Sequence, residues 1–141
     1  MGKVYTAECG KCKRIYNFDV GISDLYNKNT LLDYNSEFNL LNLFKEKKRK
    51  PQLEQILKDK SYNLLDGYGH KILLCETCKQ LYSRFVFTLY NDKQEIFETT
   101  FRCHTCRRKL KVLDTSEIMD DIYECPYCNN RMKFHISGEW N

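Results

Sequence analysis

The chain has 141 residues, 42% apolar and 30% charged, with a formal net charge of +4. Ten Tyr, eight Phe and one Trp against six Gly and two Pro exclude a disordered or fibrous chain. No apolar run approaches the ~18 residues of a membrane span, and residues 1–10 lack the apolar stretch of a signal peptide. A cytoplasmic protein with no membrane role is the expectation.

Eight cysteines fall in four pairs of identical internal spacing: Cys9/Cys12, Cys75/Cys78, Cys103/Cys106 and Cys125/Cys128. A disulfide framework suits a secreted chain, and nothing here directs secretion. A thioredoxin-like motif expects one CxxC beside a βαβ pattern, and neither condition is met. Metal remains. Two cysteines separated by two residues place both sulfurs on one side of a tight turn whose amides point at the thiolates. Two such knuckles supply four sulfurs to a tetrahedral ion, so two four-cysteine zinc sites are predicted.

Strands flank every knuckle. Val4–Glu8 and Ile15–Val20 surround the first. The second lies between Ile72–Leu74 and Leu81–Tyr90, the third between Phe97–Arg102 and Lys109–Leu113, the fourth between Ile122–Glu124 and Arg131–Ile136. Along Leu81–Tyr90, period two puts Leu81, Phe85, Phe87 and Leu89 on one face and Tyr82, Arg84, Thr88 and Tyr90 on the other. Each knuckle then tips a β-hairpin, and two tips clasping one ion make a zinc ribbon.

Between the first two knuckles the pattern turns helical. Phe38, Leu41 and Phe44 follow helical spacing, with Leu40 beside them and Ser36 as N-cap. The basic run Lys45–Lys50 suits that helix's C-terminus. Pro51 opens a second helix marked by Leu53, Ile56 and Leu57, which ends before the Asp66-Gly67-Tyr68-Gly69 turn. The prediction is an αα-hairpin inserted over about residues 22–66.

Spacing bears on how the knuckles pair. Successive gaps are 62, 24 and 18 residues. Only the last falls within the ~15–20 residues common in a four-cysteine ribbon. That favours Cys103/Cys106 with Cys125/Cys128, and by elimination Cys9/Cys12 with Cys75/Cys78. A competing scheme pairs the middle knuckles and closes the outer two around them, since a hairpin turning at Asn91-Asp92 also brings Cys78 near Cys103. With sequential pairing the chain divides into a first ribbon with its helical insertion (residues 1–95) and a second ribbon (96–141), a small metal-stabilised α+β fold.

Tyr5–Cys12, the helical segment, Tyr68–Cys78 leading to Phe87–Asp92, and the Cys125-Pro126-Tyr127-Cys128 knuckle together resemble uncharacterised bacterial zinc-ribbon proteins of about this size. The resemblance implies zinc and a double-ribbon fold with a helical insertion, and it carries no activity. The sequence departs from the common ribbon pattern in placing Lys13, Lys79, Arg107 and Asn129 where many ribbons have Gly.

The +4 counts cysteines as neutral, whereas eight thiolates with two Zn²⁺ bring the loaded protein near zero. Each tetrathiolate site attracts nearby cations. Lys11, Lys13, Arg14, Lys71, Lys79, Arg102, Arg107, Arg108, Lys109, Arg131 and Lys133 therefore read as counter-charges. The run Lys45, Lys47, Lys48, Arg49 and Lys50 has no such partner and is the candidate interaction surface. Tyr82 and Tyr90 could stack single-stranded nucleic acid, although packing is the plainer reading. His70, His104 and His135 are scattered, and no nucleophile–base pair or phosphate loop is present. Four cysteines per site leave no open coordination position, so neither catalysis nor a small-molecule substrate is expected. A non-catalytic module with a protein partner leads; a nucleic-acid binder and a rubredoxin-like iron carrier are the alternatives.

Overall fold

The computed structural model describes residues 2–140. They form two compact units, each assembled from separate stretches of chain. Unit 1 comprises Met1–Gly21, His70–Arg84 and Thr100–Asn141; unit 2 comprises Ile22–Gly69 and Phe85–Thr99. The expected split at 95/96 is thus replaced by a nested one. The chain leaves unit 1 twice, and all four knuckles belong to it. No helix among the described residues is long and apolar enough to cross a membrane.

Unit 1 is built on one sheet. Strands β1 (Gly2–Cys9) and β2 (Ile15–Gly21) form a hairpin around the first knuckle. Strands β4 (Gly69–Cys75) and β5 (Gln80–Val86) do the same around the second. The sheet runs β5-β4-β2-β1-β9, where β9 is Met132–Trp140, and β8 (Lys111–Leu113) also pairs with β4. Both β1–β9 and β4–β8 are antiparallel; Cys9 stands opposite Met132, and Leu74 opposite Lys111. The Thr6 hydroxyl hydrogen-bonds Asn17 Oδ1 on β2 (2.8 Å) and Ser137 Oγ on β9 (2.6 Å), pinning β1 to both neighbours. Ala7, Phe18, Ile72, Leu74, Leu81, Leu113, Tyr123 and Met132 fill the core beneath.

The third and fourth knuckles lack full hairpins. Each is closed by one isolated bridge, Arg102 with Lys109 and Glu124 with Arg131. The predicted strand Ile122–Glu124 shrinks to that bridge, and Thr115–Glu117 forms a 3-10 turn capped by Asp114.

Unit 2 holds three short helices and a three-stranded sheet in place of the expected αα-hairpin. Helix α1 (Lys28–Leu32) starts at Asn27, whose side chain accepts from the Thr30 amide. Helix α2 (Leu40–Leu43) starts at Asn39. Ser36 instead accepts from the Phe38 amide in the turn ahead of it, so its predicted capping role shifts by one turn. Helix α3 (Lys50–Asp59) carries Pro51 in its first turn and buries Leu53, Ile56 and Leu57, as their spacing requires. Strands β3 (Asn63–Leu64), β6 (Thr88–Tyr90) and β7 (Ile96–Glu98) complete the unit. The alternating face of 81–90 is buried as predicted, but it serves two cores. Leu81 packs in unit 1, and Phe85, Phe87 and Leu89 pack in unit 2.

The run 45–50 bridges α2 and α3, leaving Lys50 at the start of α3 and not at the C-terminus of a preceding helix. Pro51 explains the shift, because its fixed φ and missing N–H favour a helix start. The full burial of Leu53 gives a direct test of the unit 2 core. Leu53→Ala should lower stability by ~2–5 kcal/mol in denaturant unfolding.

Candidate metal centres

Each knuckle repeats one local design. The amide four residues after its first cysteine donates to that cysteine's carbonyl: Lys13 to Cys9 (3.0 Å), Lys79 to Cys75 (2.8 Å), Arg107 to Cys103 (3.0 Å) and Asn129 to Cys125 (2.8 Å). Those four donors all adopt left-handed backbone, with φ of 63°, 58°, 65° and 64°. They are the four positions where glycine is common in ribbons, and the reason is now visible. The chain must turn through positive φ there, which costs a residue with a Cβ ~1–2 kcal/mol.

The structure gathers the cysteines into two tetrads, Cys9/Cys12/Cys125/Cys128 and Cys75/Cys78/Cys103/Cys106. The sequential pairing is therefore corrected to the outer-with-outer, middle-with-middle scheme. The cause is strand pairing. The β1–β9 ladder sets the fourth knuckle beside the first, and the β4–β8 ladder sets the third beside the second.

All sulfurs of a tetrad lie within 4.8 Å of one another. Close approaches are Cys9–Cys128 at 3.3 Å, Cys12–Cys125 at 3.7 Å and Cys75–Cys106 at 3.4 Å. A tetrahedral ion with metal–sulfur bonds of ~2.3 Å needs sulfur–sulfur edges of about 3.8 Å. A disulfide needs ~2.05 Å, and all eight thiols are free. The fit is to a metal ion.

Electrostatics agree. The first cysteine of every knuckle is buried and the second half-buried. Burial pushes the Cys125 thiol up, yet the Tyr16 hydroxyl and the Cys128 and Tyr127 amides hold it down at about 6. Cys103, raised by burial, is likewise held at about 6 by the Tyr82 hydroxyl and the Cys106 and Thr105 amides. The half-buried partners go the other way. The Arg14 amide lowers Cys12, but burial and the Cys9, Cys125 and Cys128 sulfurs push it to about 11. The Cys106 sulfur, burial, and the Cys75 and Cys103 sulfurs push Cys78 to about 12. Cys9 is lowered as well, chiefly by the Cys12 amide, so part of each tetrad is supported as thiolate, whereas four thiolates together require a cation.

Among the described residues no Lys or Arg nitrogen hydrogen-bonds a cysteine sulfur. Arg14 stacks over Tyr127 at 3.8 Å, while Arg102 and Arg131 donate to the Arg107 and Ile122 carbonyls. His70, His104 and His135 stand outside both tetrads.

Tyr82 is half-buried with its hydroxyl 3.4 Å from Cys103 Sγ, in keeping with the packing reading, while Tyr90 is exposed. Tyr16, 3.5 Å from Cys125 Sγ, escaped the sequence reading altogether. Its signal was present: Tyr16 and Tyr82 both stand seven residues after the first cysteine of their knuckle.

Comparison with protein-family models, curated proteins and solved structures gives no match. The zinc-ribbon resemblance therefore rests on the two four-cysteine groups, whose distances fit such sites, and no relative supports a bacterial kinship.

Of the candidate interaction residues, Lys45, Lys47, Lys48 and Lys50 are exposed and Arg49 is not. Arg49 pairs with Glu46 (3.0 Å), donates to the Glu98 carbonyl (3.1 Å) and lies 4.7 Å above the Phe97 ring, so it anchors the segment.

Cys9→Ser and Cys125→Ser should each remove one metal ion per chain, and the double variant still only one. Cys125→Ser combined with Cys75→Ser should remove both, as read by metal analysis. At the left-handed positions, Lys13→Gly should raise the melting temperature of the loaded protein and Lys13→Val should lower it.

Proposed function

We propose that the chain is a non-catalytic module in which two zinc ions stand in for a large core, and that it engages an acidic protein partner through Lys45, Lys47, Lys48 and Lys50. The observation that carries the metal reading is the double tetrad, four sulfurs within bonding reach of one centre, twice. When bound, zinc supplies a clasp. Structural zinc contributes ~10–16 kcal/mol per site, against a usual net domain stability of ~5–15 kcal/mol. Four thiolates complete a tetrahedron and leave no position for substrate or water, which favours a structural over a catalytic role.

Charge supports the surface. Unit 1 carries fourteen Lys and Arg against nine Asp and Glu, an excess that offsets two dianionic tetrathiolate centres. Unit 2 has nine against ten, so its lysine run is a local concentration without such a role. Nor does it serve helix α3. Cations entering a helix N-terminus are unfavourable by ~0.3–1 kcal/mol each. Lys47, Lys48 and Lys50 stand at or just before that terminus and gain nothing from it, which suits residues kept for an anionic partner, while Lys45 donates to the Asn42 carbonyl at the end of α2 (3.5 Å).

Purified protein should contain two zinc ions per chain and be colourless, whereas ferric S₄ centres would be red. A strong chelator should unfold it. Changing Lys45, Lys47, Lys48 and Lys50 to Gln, with Arg49 retained, should keep zinc content and should not lower the melting temperature. It should also weaken capture of the partner from native extract at least tenfold, and added salt should weaken capture by the native chain. Undiminished capture would move the surface elsewhere, and retention of nucleic acid in place of protein would replace the partner class.

A further inference from the structure

The two tetrads are built alike beyond their cysteines. The first knuckle reads Cys9-Gly10-Lys11-Cys12-Lys13-Arg14-Ile15-Tyr16 and the second Cys75-Glu76-Thr77-Cys78-Lys79-Gln80-Leu81-Tyr82. They share both cysteines, the lysine at positive φ, an aliphatic residue and the tyrosine. The closing knuckles share a different plan. Seven residues after Cys103 and Cys125 stand Leu110 and Met132, both buried. Their amides donate to Phe101 (2.8 Å) and Tyr123 (3.0 Å), each two residues before its first cysteine. Every tetrad therefore joins one tyrosine-bearing knuckle to one apolar-closed knuckle, and the unit occurs twice in the chain.

The tyrosine does the same thing each time. Tyr16 Oη lies 3.5 Å from Cys125 Sγ, and Tyr82 Oη lies 3.4 Å from Cys103 Sγ. Each target is the first cysteine of the opposite knuckle, and both are 0% exposed, beyond the reach of bulk water. A buried thiolate needs donors, and a metal-bound sulfur has no proton to give, so the phenol is the donor. In the second centre the direction is fixed further. Tyr82 Oη accepts the His104 amide at 3.1 Å, which leaves its single proton for the sulfur.

We propose that Tyr16 and Tyr82 are equivalent positioning residues of the two metal centres, each donating its phenolic proton to the inner thiolate of the opposite knuckle and so slowing loss of the metal. This rests on the reading of the tetrads as tetrathiolate sites. The bond draws electron density from one sulfur, making it a poorer target for a proton or an electrophile. It also ties the two knuckles of each centre together through a contact that does not pass through the ion.

The test uses the full chain loaded with zinc or with cobalt(II), comparing native protein, Tyr16→Phe, Tyr82→Phe and the double variant. Each single variant should still bind two ions. It should release one of its two zinc ions to a chromogenic chelator about tenfold faster, the scale of a lost charge-assisted hydrogen bond. It should also shift the sulfur-to-cobalt charge-transfer band of that one centre. The double variant should show both changes at both centres. Unchanged release and unchanged bands in variants that bind two ions would overturn the proposal and leave the metal reading standing. A native chain that binds no metal would remove both. Should a Phe variant fail to fold, the native chain loaded with cadmium-113 decides. Two slowly exchanging phenolic protons with scalar coupling to cadmium support the proposal, and their absence overturns it.

Discussion

The antiparallel ladder between β1 and β9 is the constraint from which the rest of unit 1 follows. It runs from Gly2 opposite Trp140 to Cys9 opposite Met132, with one irregularity between Val4 and Tyr5. At its far end Cys9 and Cys128, 119 residues apart in sequence, come within 3.3 Å. No local turn could do that. Because β1 also pairs with β2 along its whole length, the first and fourth knuckles are presented by three adjacent strands. The second centre repeats the arrangement on a smaller scale, with only Lys111–Leu113 of β8 to set the third knuckle beside β4. A short ladder there leaves more of the clasp to the four sulfurs themselves.

Within each centre two requirements compete. Sulfurs must be close enough to share an ion, yet closeness makes their joint ionisation unfavourable. The fold resolves part of the conflict locally, by aiming knuckle amides and one phenol at the buried cysteine of each closing knuckle. It leaves the rest to a divalent cation, because Cys12 and Cys78 are pushed up by the very sulfurs they must join. An ion held by such a tetrad would couple its binding to folding for this reason. The strands can bring the thiols together, but only an ion lets all four lose their protons.

What the sequence displayed and what it hid divide along the same line. The CxxC spacing, the amphipathic spacing of Leu53, Ile56 and Leu57, and the alternation through Leu81–Leu89 are local patterns, and all three were legible. Pairing of the knuckles was not, because it depends on which distant strands meet. A loop-length argument penalises the closure that the β1–β9 ladder makes, although closure entropy grows only slowly with length. The nested units were hidden for a related reason. Residues 85–99 read as a simple continuation of one hairpin, yet they leave β5 to pair with β3 in a second sheet. Tyr16 was missed because its offset from Cys9 gains meaning only beside the same offset at Tyr82.

Positions that break a local rule are the most informative. Three cationic residues and one asparagine sit at the left-handed turn of the knuckles, where glycine would cost nothing in strain. Lys13, Lys79 and Arg107 are exposed, so no packing compensates for the backbone cost. Their common setting is the flank of a four-cysteine cluster, where a long cation can remain in water and still act across a few ångströms on the −2 charge that four thiolates around a divalent ion would carry. An exposed interaction of this kind is modest and screened by salt. Set against a backbone cost of ~1–2 kcal/mol, it offsets only part, which is why Gly at these turns is expected to be the more stable choice. Asn129 fits the same accounting from the other side. It has no charge to offer, but asparagine tolerates the left-handed region better than lysine or arginine, so it incurs less of the cost that those cations partly offset.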